Sequence, residues 1–327
     1  MAQKTHIFSI KKCLTLGLSA GLLLAFIGAG LVLAPGPHGQ NQRISIPKGV
    51  SLTFMADDLA RQNLVHSSFM FRLLARLSGQ ASQMRAGEYD VPANASMASI
   101  LKILTTGNSV LHAVAVPEGL TSQQVVDLLA ELPVLDGAVE VPAEGSLLPE
   151  TYHLPRGALR ADLIAQMQKA QSDLLASLWP QRAANLPIKT PQEAVILASI
   201  VEKETALARE RPLIAAVFIN RLRKNMRLQS DPTIIYGLVG GVGTLGRPIR
   251  RSEIRRQTDY NTYRIDGLPP TPIANPGRAA IAAVLNPASS EAVYFVADGT
   301  GGHVFADNLK SHERNVKKWR QMRGTGR

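Results

Sequence analysis

The sequence predicts an α+β fold that follows a membrane-spanning helix. A run of 21 residues without a charge, Leu14–Ala34, lies near the N-terminus. Short stretches such as RISI (43–46) and AVYFVAD (292–298) are typical of strands, and segments with apolar residues at helical spacing separate them. The 327 residues are 45% hydrophobic, which is enough for a sizeable core in one large or two modest domains.

The uncharged run, residues 14–34, predicts a transmembrane helix. At 1.5 Å per residue its length is roughly 30 Å, the thickness of the hydrocarbon core of a bilayer. Three lysines precede it, so the positive-inside rule places residues 1–13 in the cytoplasm and the rest of the chain outside it. A cleaved signal peptide is the alternative, but Pro35 directly after the run disfavours cleavage there.

A small α+β module is predicted next. Residues 35–42 are polar and rich in turn formers, as in a tether. Residues 43–108 then read as strand, helix, helix, strand, helix, with Ser67 or Ser68 capping the second helix and Gly107 ending the third.

Residues 109–327 form the predicted larger mixed α+β domain. Thr121 with Gln124 three residues later matches a capping box. Thr190 as N-cap and Pro191 at the first helical position begin a nearly all-apolar helix. Residues 143–157 are rich in proline, glycine and tyrosine and predict an ordered loop.

Composition excludes several function classes. Formal net charge is +11, and the densest basic runs are residues 247–256 and 317–327. Such runs indicate either a solvated face or attraction to anionic lipid or an acidic polymer. Only 5% of residues are aromatic and no stacking motif accompanies the basic runs, so no nucleic-acid partner is predicted. A single cysteine, Cys13, excludes a thiol cluster, and no histidine pair has the spacing of a helical zinc site; neither metal nor cofactor is predicted.

The apolar helix ends in two glutamates. On a helical wheel Glu202 lies roughly 60° from the centre of the apolar face, Glu204 about 100° away on the other flank, and Lys203 opposite. Desolvation of Glu202 predicts a raised pKa, which a general acid needs near neutral pH. The alternative is that both carboxylates lie at an exposed helix end and form ion pairs with Arg209, Arg211 or Arg221.

Polar residues among apolar anchors follow this helix, as in the lining of a carbohydrate cleft. The candidate substrate-binding residues are Asn220, Gln229, Asp231, Thr233, Tyr260 and Asn261.

Four motifs together resemble the endolytic murein transglycosylase family, also called YceG-like. They are ASIVEKET (198–205), VFINRL with MRLQSDPTIIYG (217–237), YNTY with GLPPTPIANPG (260–277) and YFVADGTGGHVFADNLKSH (294–312). VPEGLTSQQVV (116–126) and EGSLLPETY (144–152) are similar to earlier family segments, and residues 43–108 resemble its LysM-like module. Thr271, where the family pattern has glycine, and SLLPETY, which replaces a more aromatic segment, are departures that affect the fit of the substrate.

The resemblance implies a single-pass inner-membrane enzyme with a periplasmic catalytic domain and no cofactor. It would cleave the β-1,4 bond between N-acetylmuramic acid and N-acetylglucosamine in nascent peptidoglycan without water, leaving 1,6-anhydro ends and terminating glycan elongation. By that resemblance the catalytic acid is Glu202, with Glu204 a second candidate acid. Glycan strands and cell-wall synthases are the implied partners.

Two other functions stay open from the sequence. One is a non-catalytic, membrane-tethered peptidoglycan-binding scaffold for synthases. The other is a hydrolytic muramidase, whose second carboxylate would be Asp231 or Glu150. A pyridoxal-phosphate lyase has little support, because Lys203 points away from the apolar face of its helix.

Overall fold

The computed structural model describes residues 26, 28–107 and 109–325. The predicted cytoplasmic segment, residues 1–13, lies outside these residues, as does most of the predicted membrane helix, of which residues 28–33 are helical. No helix within the described part of the chain has both the length and the apolar character to span a bilayer.

The described chain divides into two compact units. The first contains the residues up to His112 together with His153–Gly157, and the second contains Ala113–Tyr152 and the residues from Ala158 onward.

The first unit has the predicted order of strand, helix, helix, strand, helix. Its elements are β1 (Gln42–Ile46), α1 (Leu52–Arg61), α2 (Ser68–Leu77), β2 (Gly87–Val91) and α3 (Met97–Thr106). Of the two serines predicted to cap α2, Ser67 does so, because its side chain accepts a hydrogen bond from the Met70 amide. Gly107 ends α3 as predicted.

One face of a two-stranded sheet forms the core of this unit. β1 and β2 are antiparallel, with Ile44 opposite Tyr89. Because alternate residues of a strand face opposite sides, Ile44 and Ile46 are buried while Arg43 and Ser45 are exposed. Phe71 of α2 is fully buried in the same core.

The remaining elements are mostly helical. They are β3 (Leu111–Ala115), α4 (Ser122–Ala130), β4 (Leu135–Asp136), β5 (Thr151–Pro155), β6 (Ala158–Leu159), α5 (Arg160–Leu178), a 3-10 turn (Trp179–Gln181), α6 (Pro191–Glu204), α7 (Arg211–Arg223), α8 (Asp231–Val239), α9 (Arg251–Arg255), α10 (Arg278–Leu285), β7 (Tyr294–Ala297), β8 (His303–Ala306) and α11 (Leu309–Thr325). Strands pair as β3 with β5, β4 with β6, and β7 with β8.

Two segments differ from the sequence predictions. Residues 143–157, predicted as a loop, contain strand β5. The basic C-terminal run continues a helix, α11, which the sequence does not predict because most of its residues are polar or charged.

The core of the second unit surrounds α6. All eight residues Ala194–Val201 are buried, and α7 and α10 pack against them. A helix that is apolar on every side is typical of a core position. The polar exception is Ser199, whose hydroxyl donates to the Ile196 carbonyl and accepts from the Ile273 amide. Both glutamates lie in the C-terminal turn of this buried helix.

Candidate active site

Helix α6 begins as the sequence predicts. The Thr190 side chain caps it by accepting from the Glu193 amide at 3.1 Å, and Pro191 is its first residue. It ends at Glu204, where Thr205 adopts an extended backbone. Carboxylates in the last turn of a helix face the negative end of its dipole, which favours their protonated form.

Glu202 is held by two donors. Its Oε1 accepts from Arg211 Nη2 at 2.9 Å, and its Oε2 accepts from the Gly277 amide at 2.9 Å. The same Arg211 nitrogen lies 3.1 Å from a Glu118 oxygen. Only 4% of the Glu202 side chain is exposed, and this burial raises its pKa despite the opposing effects of the Gly277 amide and the Arg211 charge.

Glu204 is also removed from solvent, but with a different partner. Its Oε1 accepts a short hydrogen bond from the Ser230 hydroxyl. Burial raises the pKa of Glu204 to about 7, and the negative charge of Asp231 adds to that rise. Electrostatic interactions with His303 and Arg221 act in the opposite direction on the pKa of Glu204.

The two carboxyls and the lysine between them line one open cleft of about 380 Å³. The rest of its lining consists of Glu118, Gly119, Thr205, Ala206 and Arg211. Lys203 is exposed, and its Nζ donates to the Gly119 carbonyl at 3.1 Å. Within the described residues no group of three or more acidic, histidine or cysteine side chains is placed to hold a metal ion.

The helical wheel separates the two glutamates by their expected burial, whereas the tertiary structure buries both carboxyls. It predicts a core-side Glu202 and a flanking Glu204, yet both carboxyls are largely desolvated because loops from elsewhere in the chain cover them. The alternative, with both glutamates exposed and paired with arginines, is wrong about exposure, because both carboxyls are buried. Its pairing with arginine is found at Glu202 with Arg211, whereas Glu204 bonds to Ser230. The choice of Glu202 as the acid stays a prediction.

Three of the predicted binding residues have buried side chains that bond inside the protein. Asn220 donates to the carbonyls of Ser290 and Ala292. Thr233 bonds to the Ser230 carbonyl and the Thr262 hydroxyl, and Asn261 donates to three carbonyls of residues 253–256. These contacts hold the loops beside α6, and a direct contact of the three residues with substrate stays a prediction.

The other three predicted residues are more accessible. Gln229 is exposed and accepts from Arg221 at 3.3 Å. Asp231 is exposed, accepts from the Tyr263 hydroxyl at 2.7 Å and lies close enough to Glu204 to raise its pKa.

The third, Tyr260, makes a hydrogen bond with Thr271 at 2.7 Å. The Tyr260 ring also contacts that of Tyr236, with the centroids 4.9 Å apart. Its role in substrate binding, like those of Gln229 and Asp231, stays a prediction.

Several polar residues of the site are not predicted by the sequence. Ser230 and Glu144 lie within the segments 217–237 and 144–152 that resemble the family, but neither is among the candidate site residues predicted from the sequence. Glu144 accepts from the Ser122 amide at 2.8 Å and from the Tyr236 hydroxyl at 3.2 Å, and burial raises its pKa. Asn275 donates to Glu144 at 3.3 Å. Their partners are distant in sequence, so only the folded chain shows these contacts.

A desolvated carboxyl beside an open cleft is the arrangement of an acid–base catalyst that acts on a ligand in the cleft. The chain belongs to the YceG-like family, whose sequence profile matches residues 44–318.

Relatives of known name and a solved structure agree with this membership. A Streptococcus pneumoniae protein named endolytic murein transglycosylase is 30% identical over 323 residues, covering 84% of this chain and 57% of the relative. A Bacillus subtilis protein of the same name is 28% identical over 310 residues, covering 84% of each. The chain thus spans a little over half the length of the pneumococcal relative. A 2.6 Å crystal structure of a yceG-like protein from Listeria monocytogenes is 27% identical, with a TM-score of 0.52, and the match covers 84% of this chain and 99% of that one.

Proposed function

We propose that this protein is an endolytic lytic transglycosylase of peptidoglycan. It cleaves the β-1,4 bond between N-acetylmuramic acid and N-acetylglucosamine of nascent strands, leaves 1,6-anhydro-muramoyl ends and so terminates glycan elongation. The observation that carries the proposal is the pair of desolvated carboxyls, Glu202 and Glu204, opening on one cleft. Family membership and the names of the relatives support it.

In this proposal one carboxyl performs both proton transfers. Protonated Glu202 donates its proton to the glycosidic oxygen as the bond from C1 to that oxygen breaks. The resulting carboxylate takes the proton of the muramic acid 6-hydroxyl, whose oxygen forms the new bond to C1 and closes the anhydro ring. Water is not a reactant, so a second carboxylate is not needed as it is in hydrolysis. Arg211 and the Gly277 amide stabilise the carboxylate between the two transfers.

Glu204 is the competing candidate for the acid. Its pKa near 7 suits a group that must be protonated at neutral pH, whereas the ion pair of Glu202 with Arg211 favours ionisation. Glu202→Gln and Glu204→Gln retain the size of the side chain and remove only the acid. We expect Glu202→Gln to reduce anhydro-end formation by about a thousandfold or more, the usual scale of a lost general acid, and Glu204→Gln by less. The reverse order would transfer the role to Glu204.

A hydrolytic muramidase is the second candidate function. The proximity of Asp231 to Glu204 favours it, since two carboxylates at one site are what hydrolysis requires. Glu150 is less suited, because it bonds to Arg278 at 3.3 Å. Mass spectrometry of the released muropeptides separates the functions: anhydro ends indicate a transglycosylase, reducing ends a muramidase, and no products a scaffold.

We propose three further features of the whole protein. The first unit is a LysM-like, glycan-binding module, supported by its strand–helix–helix–strand order. Residues 14–34 anchor the chain in the inner membrane with the N-terminus in the cytoplasm and the catalytic domain in the periplasm, supported by the uncharged run and the lysines before it. Cell-wall synthases are its partners. Protease accessibility in spheroplasts tests the topology, and in-cell cross-linking tests the partners.

A further inference from the structure

A second cavity, which we call the side pocket, lies beside the proposed catalytic cleft. It has a volume of about 240 Å³ and is lined mainly by apolar side chains, among them Ile235, Val239, Leu245 and Ile273. This volume is below the range of about 300–1,000 Å³ typical of pockets for whole drug-sized ligands. The side pocket therefore suits a short arm of a larger molecule.

The wall of the side pocket is formed by tight contacts. Thr121 donates its hydroxyl hydrogen to the Gly241 carbonyl at 2.5 Å. Gly241 has a φ of +79°, and a Cβ there would lie 3.2 Å from the Tyr236 ring. Only glycine adopts this conformation without strain, so the loop after α8 closes directly on the tyrosine. A pocket built this way is present before a ligand binds.

The polar groups of the side pocket are mostly engaged within the protein. The Tyr236 hydroxyl donates to Glu144, and the Gln124 carbonyl oxygen accepts from the Thr121 amide. Lys203 differs, since its ammonium has three donor hydrogens and a single hydrogen bond, to the Gly119 carbonyl, among the described residues. The pocket thus combines apolar walls with one positive charge that retains donor capacity.

Lys203 also connects the side pocket to the cleft. It lines both cavities and stands between Glu202 and Glu204 in the last turn of α6. The Gly119 backbone packs against both Glu202 and Lys203, because a Cβ on this glycine would lie 3.5 Å from Glu202 Cγ and 3.6 Å from Lys203 Cδ. A sugar bound at the glutamates would therefore lie next to Lys203, which also lines the side pocket.

We propose that the side pocket binds the lactyl-peptide arm of muramic acid, with the methyl groups of the lactyl and alanyl units against the apolar wall and the glutamate α-carboxylate of the arm on Lys203. This inference rests on the proposed function. It follows from the position of the pocket beside the glutamates, from its apolar wall and from the complementary charge of the lysine. The arm is the part of the substrate that carries both small apolar groups and an acid.

The role of the Lys203 charge is tested by comparing how the full chain cleaves two matched substrates. One is a glycan strand whose peptides carry the free glutamate α-carboxylate, and the other is the same strand with that carboxylate amidated. Because Lys203 is exposed, we expect the wild type to prefer the acidic strand in kcat/KM by about threefold, on the scale of an exposed ion pair. Lys203→Met abolishes the preference, and Lys224→Met, a matched change at another exposed lysine, retains it. Equal cleavage of both strands by the wild type would refute the role of Lys203.

Whether the side pocket holds the arm is tested by measuring ligand binding, which does not depend on turnover. The probes are N-acetylmuramyl-L-alanyl-D-glutamate and its isoglutamine analogue, added to the full chain and followed by NMR. Val239→Phe fills the pocket and weakens binding of both probes by about tenfold, as expected for lost contact with two methyl groups. Val242→Phe is the control, because Val242 is 69% exposed in the loop just after α8 and does not line the pocket.

The two experiments distinguish failure of this inference from failure of the proposed function. If the wild type cleaves neither strand but Val239→Phe weakens probe binding and Val242→Phe does not, the pocket assignment stands and the activity is refuted. If anhydro ends form and the two valine variants bind the probes equally, the pocket assignment is wrong and the activity stands.

Discussion

Replacing Glu204 by glutamine removes a buried carboxyl that is costly to ionise. Burial next to Asp231 raises the pKa of Glu204 from 4.5 to about 7, so between these values the folded protein binds a proton that the unfolded chain has already lost. Stability from this group is therefore present at low pH and declines as the pH rises toward 7. Glu204→Gln keeps an acceptor for the Ser230 hydroxyl and cannot ionise.

The size of the effect follows from the shift in pKa. At about 1.4 kcal/mol for each tenfold change in proton affinity, a rise from 4.5 to about 7 corresponds to about 3 kcal/mol of unfolding free energy, fully lost above pH 7. We expect the variant to exceed the wild type by about that amount at pH 8 and to match it near pH 4.

Urea denaturation followed by tryptophan fluorescence measures this difference for the second unit, which contains Glu204. Both tryptophans, Trp179 and Trp319, belong to the second unit, and Trp179 packs against the core that contains α6. Subtracting the unfolding free energy of the variant from that of the wild type at each pH cancels the contributions of all other titrating groups. Glu140→Gln, at an exposed glutamate, is the matched control for the loss of one carboxylate.

A stability difference between Glu204→Gln and wild type that does not change from pH 4 to pH 8 would refute the reasoning. It would mean that water or a rearranged loop solvates the carboxylate and that the pKa of Glu204 is close to its ordinary value. The proposed activity is independent of this outcome, because it assigns the acid role to Glu202.

Three further changes test other contacts. Arg211→Met removes the charge that lowers the pKa of Glu202. If Glu202 is the general acid, the alkaline limb of the pH profile of kcat/KM should move to higher pH. An alkaline limb at the same pH as in the wild type would show that Arg211 does not act on the catalytic acid. Asn275→Ala leaves buried partners without hydrogen bonds and should cost about 3 kcal/mol in urea denaturation, whereas a loss below about 1 kcal/mol would show that the loops do not depend on it. Thr190→Ala removes the N-cap of α6 and should cost about 1 kcal/mol, with Thr190→Ser retaining stability; equal losses in both variants would contradict a capping role.

Local features of the second unit are predicted well from sequence. Thr121 and Gln124 form the predicted capping box, and Thr190 caps α6, because these interactions link residues only three positions apart. The buried character of α6 is likewise predicted from its run of apolar residues. By contrast, strand β5 is not predicted within a segment rich in proline and glycine, because its pairing partner, β3, lies about forty residues earlier in the chain.

The sequence by itself determined a core helix that ends in two acids and the motifs that indicate the family. Only the tertiary structure decided the environment of each acid: Gly277 and Arg211 at Glu202, and Ser230 at Glu204. The physical reason is that a helical wheel describes angles around one helix, whereas desolvation depends on whatever other segments pack over its end. The side pocket beside Lys203 depends in the same way on a loop from elsewhere in the chain, so its contacts exist only in the folded protein.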